Sequence, residues 1–139
     1  VTPAAQGDYL TAVRHETVIF TAGMTPRLDG VLTTTGIFGR DLTVSAGREP
    51  AKQAASNALA AATSALAAGE EIDRCVRLTV YVAATRSFTE HSRIADFASQ
   101  RIREELGEEA IGVRTTIGVA SLPGGAPIEI ELTASVLRR

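Results

Sequence analysis

From Ile128 to Val136 the chain alternates without a break. Ile128, Ile130, Leu132, Ala134 and Val136 fall on one face, and Glu129, Glu131, Thr133 and Ser135 on the other. A period of two marks a strand with one side buried. A second strand-like run begins at Gly112 and carries a lone arginine, Arg114; a Leu122–Pro123–Gly124–Gly125 loop joins the two. Arg74 to Ala83 alternates likewise, with Val76, Leu78, Val80 and Val82 opposite Arg77, Thr79 and Tyr81. Near the start, Tyr9–Val13 and Thr17–Ala22 read as a strand pair around a polar turn at Arg14–Glu16, stopped by Gly23 and Pro26. The Gly- and Thr-rich stretch Arg27–Ser45 predicts one short strand, Val31–Thr35, inside a long connection.

Two segments read as helices. Pro50–Ala68 is dominated by alanine, with Leu59 and Leu66 two turns apart and Gly69 as the stop. The second begins at a capping box, Ser87 with Glu90, runs through Ile94, Phe97, Ala98, Ile102 and Leu106 at helical spacing, and ends at Gly107. The order β-β-(β)-α-β-α-β-β predicts one α+β domain over residues 1–139, a mixed β-sheet with two helices packed on one face. The sheet's other face, carrying Thr, Tyr and Glu, is then expected to meet another subunit. No internal repeat interrupts this order.

Composition narrows the chemistry. The 139 residues carry 14 basic and 16 acidic side chains, a net charge of −2, with neither sign in a long block. With no tryptophan and few other aromatics, neither nucleic acid nor an anionic membrane is an expected partner. One cysteine, Cys75, excludes an intrachain disulfide, reads as a small buried residue, and suits a reducing compartment. No run approaches the roughly 18 apolar residues of a membrane span, and Val1–Gly7 lacks a basic-then-apolar leader, so a cytoplasmic chain is expected. His15 and His91 lie far apart, with His91 read as solvated, and no ligand spacing suggests a metal. Gly36–Gly39 lacks the lysine of a phosphate loop, and there is no Gly-x-Ser-x-Gly elbow. What remains is Arg114 with Glu129, with Tyr9 and Thr116 as polar neighbours. On adjacent strands they would form either a small anion-binding and proton-transfer site or a plain cross-strand ion pair.

At these residues the chain resembles the RidA (YjgF-like) family of enamine/imine deaminases. The resemblance covers nearly the whole length: Tyr9, then Gly23–Met24–Thr25–Pro26, the run Gln53 to Leu59 with Asn57, Val76–Val82, Phe88, Arg114, Leu122–Pro123 and Ile128–Glu131. It implies a chorismate-mutase-like protomer in a homotrimer, with the sheets around a central barrel and sites in clefts between subunits. It also implies hydrolysis of a 2-imino or 2-enamino acid, a small carboxylate, to the 2-oxo acid and ammonia. Arg114 and Glu129 would be catalytic, Arg114, Tyr9, Thr116 and Gly23 would bind substrate, and no metal or organic cofactor would be needed. The chain departs from the family pattern at Thr116, where the deaminases have cysteine, and at Ser92, where many have asparagine. Its Pro26–Asn57 and Phe88–Arg114 connections are also longer. The alternatives are a non-catalytic trimer that binds carboxylates or a partner protein, an enzyme for a larger imine and, with less support, a ribonuclease.

Overall fold

The computed structural model describes residues 2–139. Strands β1 (Ala12–His15), β2 (Val18–Thr21), β5 (Glu70–Ala83), β6 (Val113–Val119) and β7 (Ile128–Arg138) form a sheet of order β1-β2-β7-β5-β6. β5 and β6 run parallel, joined through α2 (His91–Leu106), while every other pairing is antiparallel. The sheet is mixed, as predicted. A separate hairpin, β3 (Arg27–Leu28) with β4 (Val31–Leu32), precedes α1 (Arg48–Thr63).

Both helices lie on one face. α1 packs over β7 and β2, and α2 over β5 and β6. Ala51, Ala54, Ala55, Ala58, Ala61 and Ala62 are fully buried, so the helix contributes a flat seam of methyl groups. The sheet answers with Leu78, Val80, Val82, Ile128, Ile130 and Leu132. Buried Lys52 on α1 reaches Glu104 on α2 at 3.2 Å and ties the helices together.

The opposite face is uncovered in the protomer. One cross-strand row runs Val13, Phe20, Thr133, Arg77, Val113 across all five strands. Val13, Phe20 and Val113 are 50%, 48% and 58% exposed, so this face is more apolar than Arg77, Thr79 and Tyr81 alone suggested.

Several boundaries differ from those read in the sequence. β1 starts at Ala12 and takes in Arg14 and His15, with Glu16 in the left-handed region (φ 55°) at the turn; Tyr9 lies in the preceding loop. The short strand read at Val31–Thr35 is present as β4 but ends at Leu32, and Asp29–Gly30, both at positive φ, close it into a tight hairpin with β3. Such a turn is the usual work of Asp-Gly. α1 ends at Thr63, five residues early, where the Thr63 and Ser64 hydroxyls donate to the carbonyls of Leu59 and Ala61 and so compete with the helical ladder. Gly69, at φ 81°, turns the chain into β5 instead.

β5 begins four residues early, and irregularities in its pairing with β7 at Ile72/Arg74 and Cys75/Arg77 reset its phase. Cys75 is therefore buried mid-strand and Val76 exposed, breaking the predicted row of four valine and leucine positions. The Ser87–Glu90 capping box does not form: α2 starts at His91 without a side-chain cap. Phe88 packs against Phe38 and His91, and Glu90 pairs with Arg93. Gly107 does end α2.

One ion pair fastens the β1–β2 hairpin to the start of β5. Glu70 accepts both terminal nitrogens of Arg14 and the Ala67 N–H, and Arg138 lies at 3.4 Å. The Arg14 bond first, then the Ala67 N–H, holds its carboxyl at about 2 against an ordinary 4.5. A carboxyl depressed in the folded state stabilises it above the unfolded value, and that contribution fades as pH falls from about 4.5 through 2. Thermal melts of wild type and Glu70→Gln should therefore differ most near pH 7 and converge toward pH 2. A gap that stayed constant down to pH 2.5 would contradict this account.

Candidate functional site

β7 sits between β2 and β5, and the Met24–Ile130 bridge (2.7 and 2.9 Å) draws the segment after β2 against it. The bridge brings Gly23 onto Glu129. A Cβ at position 23 would lie 2.4 Å from Glu129 Oε2 and 2.9 Å from its Cγ, so only glycine leaves room for this carboxylate. Gly23, Glu129, Tyr9, Pro123, Arg27 and Asn57 help to line a cavity of about 150 Å³. The Tyr9 hydroxyl accepts the Gln6 N–H at 3.2 Å, which holds the loop as one wall.

The two neighbouring glutamates differ sharply. Glu131 accepts the Tyr81 hydroxyl at 2.5 Å. Glu129 makes no hydrogen bond or ion pair among the described residues. Burial first, and the negative charge of Glu131 second, raise its carboxyl above the ordinary value. A half-buried carboxylate with a raised pKa and open space before it suits proton transfer.

Arg114 stands elsewhere. The register sets Arg114 beside Leu78, under α2, whereas Glu129 lies beside Tyr81 on the opposite face. β5 also separates their strands. Within one chain they form no ion pair and share no cavity, which corrects the expectation that they lie on adjacent strands. Arg114 Nη1 donates to Asp96 (2.8 Å) and Ser99 (3.0 Å), and Nη2 to Ser92 Oγ (2.8 Å). Ser92, Asp96 and Ser99 stand at i, i+4 and i+7, one polar stripe of α2 turned to the edge strand. That stripe is visible in the sequence once the helix is placed.

Thr116 follows Arg114 on the same face, and Gly118 follows Thr116. At Gly118 the His91 ring packs so closely that a Cβ would lie 2.5 Å from Nε2. The ring also meets Phe88 edge-on at 5.2 Å, so His91 is half-buried rather than solvated. His91, Phe88, Thr85 and Gly118 help to line a second cavity of about 300 Å³. The predicted residues thus divide into two groups: Tyr9, Gly23 and Glu129 in one cavity, Arg114 and Thr116 along β6.

Arg27 was not singled out by the sequence. It lines the Glu129 cavity and a larger groove of about 590 Å³ over α1, and it has no acidic partner among the described residues. Its Nε is buried without an acceptor, an arrangement that costs roughly 1–3 kcal/mol for a lone polar group.

Cys75 offers no nucleophile, since burial pushes its thiol up to about 11. Among the described residues no cluster of three or more His, Cys, Asp or Glu could hold a metal, and no helix is long and apolar enough to cross a membrane.

Residues 1–136 match the family model described as Endoribonuclease L-PSP. Protein TCP17 of Trypanosoma cruzi is 34% identical over 126 residues, 89% of this chain and 78% of that protein. A protein of unknown function from Agrobacterium tumefaciens is 30% identical with a TM-score of 0.86, over 98% of this chain and 86% of that one. One from Shewanella oneidensis MR-1, described as a candidate endoribonuclease, is 29% identical with a TM-score of 0.88, over 97% and 89%. With this match over residues 1–136 and this fold, the chain belongs to the endoribonuclease L-PSP family, the RidA (YjgF-like) family that its sequence resembles.

Proposed function

We propose that the protein hydrolyses a 2-imino or 2-enamino acid to the 2-oxo acid and ammonia, in clefts between copies of the chain. The observation that carries this reading is the contrast between Glu129, unpaired in its cavity against Gly23, and Glu131, occupied by Tyr81. Glu129, Gly23 and Tyr9 come from one protomer, and Arg114 and Thr116 from the next. Glu129 takes a proton from water as its oxygen bonds to the imine carbon and passes it to the nitrogen, which gives the carbinolamine. Glu129 then takes the hydroxyl proton and delivers it to the nitrogen as the C–N bond breaks, leaving the carbonyl and ammonia. The substrate carboxylate faces Arg114. Because imines already hydrolyse in water, positioning and proton transfer are sufficient help.

The endoribonuclease description of the family model is the weaker reading for this chain. Its net charge of −2, with no basic block, gives little for an RNA backbone to bind. Carboxylate binding without turnover is the other alternative, and the glutamate variants separate it from catalysis.

Glu129→Gln should keep the fold and lose most of the rate, about 10²–10⁴-fold, since the amide keeps the shape without the basicity. Glu131→Gln should keep most of the rate. Removing its negative charge lowers the Glu129 pKa, so the acid limb of the rate profile should move to lower pH. Steady-state deamination of enzymatically generated imino acids, beside melting temperatures, decides the matter. Near-normal turnover in Glu129→Gln would sink the mechanism.

Arg114 must exchange partners to bind substrate. Asp96 is the partner it can release, because its side chain is 69% exposed and exposed pairs contribute little. Asp96→Asn should therefore bind 2-oxo acids more tightly, and Arg114→Lys more weakly because an ammonium lacks the two-pronged fork. Calorimetry showing both affinities unchanged would remove Arg114 as the anchor.

The uncovered sheet face, with Val13, Phe20 and Val113 exposed in one row, supports assembly as a homotrimer through that face. Light scattering at micromolar concentration should give three times the chain mass. A monomer would contradict both the assembly and the shared site.

A further inference from the structure

Arg27 lines the Glu129 cavity and has no acidic partner among the described residues. Two arginines join elements through ion pairs: Arg14 holds β1 to β5 through Glu70, and Arg114 holds β6 to α2 through Asp96. Arg27 forms no ion pair among the described residues; Nη1 donates only to Gly30 O, inside its own hairpin, at 2.8 Å. Its backbone, by contrast, is firmly held. Asn57 Nδ2 donates to the carbonyls of Thr25 and Arg27 at 3.0 and 2.8 Å, and Thr33 donates through N–H and Oγ1 to Pro26 O. A pinned backbone beneath an unpaired guanidinium is the arrangement of a binding group.

Its position adds the direction. Arg27 and Asn57 line both the cavity of about 150 Å³ that holds Glu129 and the groove of about 590 Å³ over α1. Nη2 reaches toward the loop that leads into β7: a Cβ on Gly124 would lie 3.4 Å from it. The groove beyond is walled by Pro3, Leu28 and Ala60, with Gln53 and Ser56 as polar edges. Asp29 also lines it but makes no ion pair with Arg27 among the described residues.

We propose that Arg27 is a second anion anchor beside Glu129, and that the substrate is an imino or enamino acid whose tail reaches the groove and carries a carboxylate. The proposal rests on the deaminase reading for the reacting end of the molecule and goes beyond it for the tail. Arg114 of a neighbouring copy then takes the carboxylate next to the reacting carbon, and Arg27 takes the distal one. A guanidinium fork favours a carboxylate over a neutral or apolar end.

Calorimetry with two five-carbon acids tests it on the full chain: 2-oxoglutarate, which carries the distal carboxylate, and 2-oxopentanoate, which does not. Wild type should favour 2-oxoglutarate by about ten-fold, the scale of one charge-assisted contact. Arg27→Met should bring that ratio close to one, and Arg27→Lys, which keeps the charge, should retain part of it. Equal affinities in wild type, or a preference that survives in Arg27→Met, would overturn the anchor. Turnover of the corresponding imines is measured in parallel. Turnover without a tail preference overturns the anchor alone. A tail preference without turnover overturns the deaminase reading and leaves the anchor standing.

Discussion

The pairing of β7 with β5 sets Glu129 against Tyr81, Glu131 against Thr79 and Thr133 against Arg77, while Ile128, Ile130 and Leu132 meet Val82, Val80 and Leu78 under the helices. Period-2 geometry allows no compromise: one face enters the core and the other does not. β6 adds to β5 in parallel register and carries Arg114 onto the helix side. Two groups with complementary chemistry are thereby held on opposite sides of a single sheet. In the proposed reaction the second group comes from another copy of the chain, and the same sheet leaves an apolar row uncovered. On that proposal, assembly and activity follow from one constraint.

The charges divide by whether they are satisfied. Glu70 gathers Arg14, Arg138 and the Ala67 N–H, and Lys52 meets Glu104 across the helices. These groups hold elements together, and their partners stabilise the charged forms. Glu129 and Arg27 border one cavity and form no ion pair among the described residues. Keeping charged groups poorly matched costs stability, and folded proteins tolerate this mainly where a ligand completes the set. Arg114 lies between these classes. Its partners anchor it, yet Asp96 is exposed enough to yield its place. Under the proposed function, Asp96 competes with the carboxylate substrate and holds the guanidinium in position while the site is empty.

What the sequence revealed was local periodicity. The alternation of β7, the helical spacing of Ile94, Phe97 and Ile102, and the stop at Gly107 depend on near neighbours along the chain, and each appears in the structure. The misses came from contacts that the chain order does not contain. Thr63 and Ser64 end α1 through bonds to their own preceding turn. Val76 leaves the buried face because the partner strand imposes a register shift. Ser87 and Glu90 form no capping box once Phe88 packs against Phe38. The spacing from Arg114 to Glu129 was legible, but not their faces, because those depend on β5 inserting between their strands. Arg27 was hidden by a Gly- and Thr-rich stretch whose Asp29–Gly30 turn went unread as a hairpin.

Sheet and loop therefore carry different parts of the function. Moving Glu129 by one position would turn it into the core, so the reacting groups are fixed by the same packing that stabilises the fold. The connection between Pro26 and α1 carries no such burden. Lengthening a surface loop costs little, growing only as the logarithm of its length. The hairpin there packs on α1 and lies close to Gly124 in the loop before β7 rather than on the sheet core. It can thus bring a new cation and a new wall to the cavity without disturbing Glu129. Under the proposed function, specificity is free to change in that connection while Glu129 stays where β7 puts it.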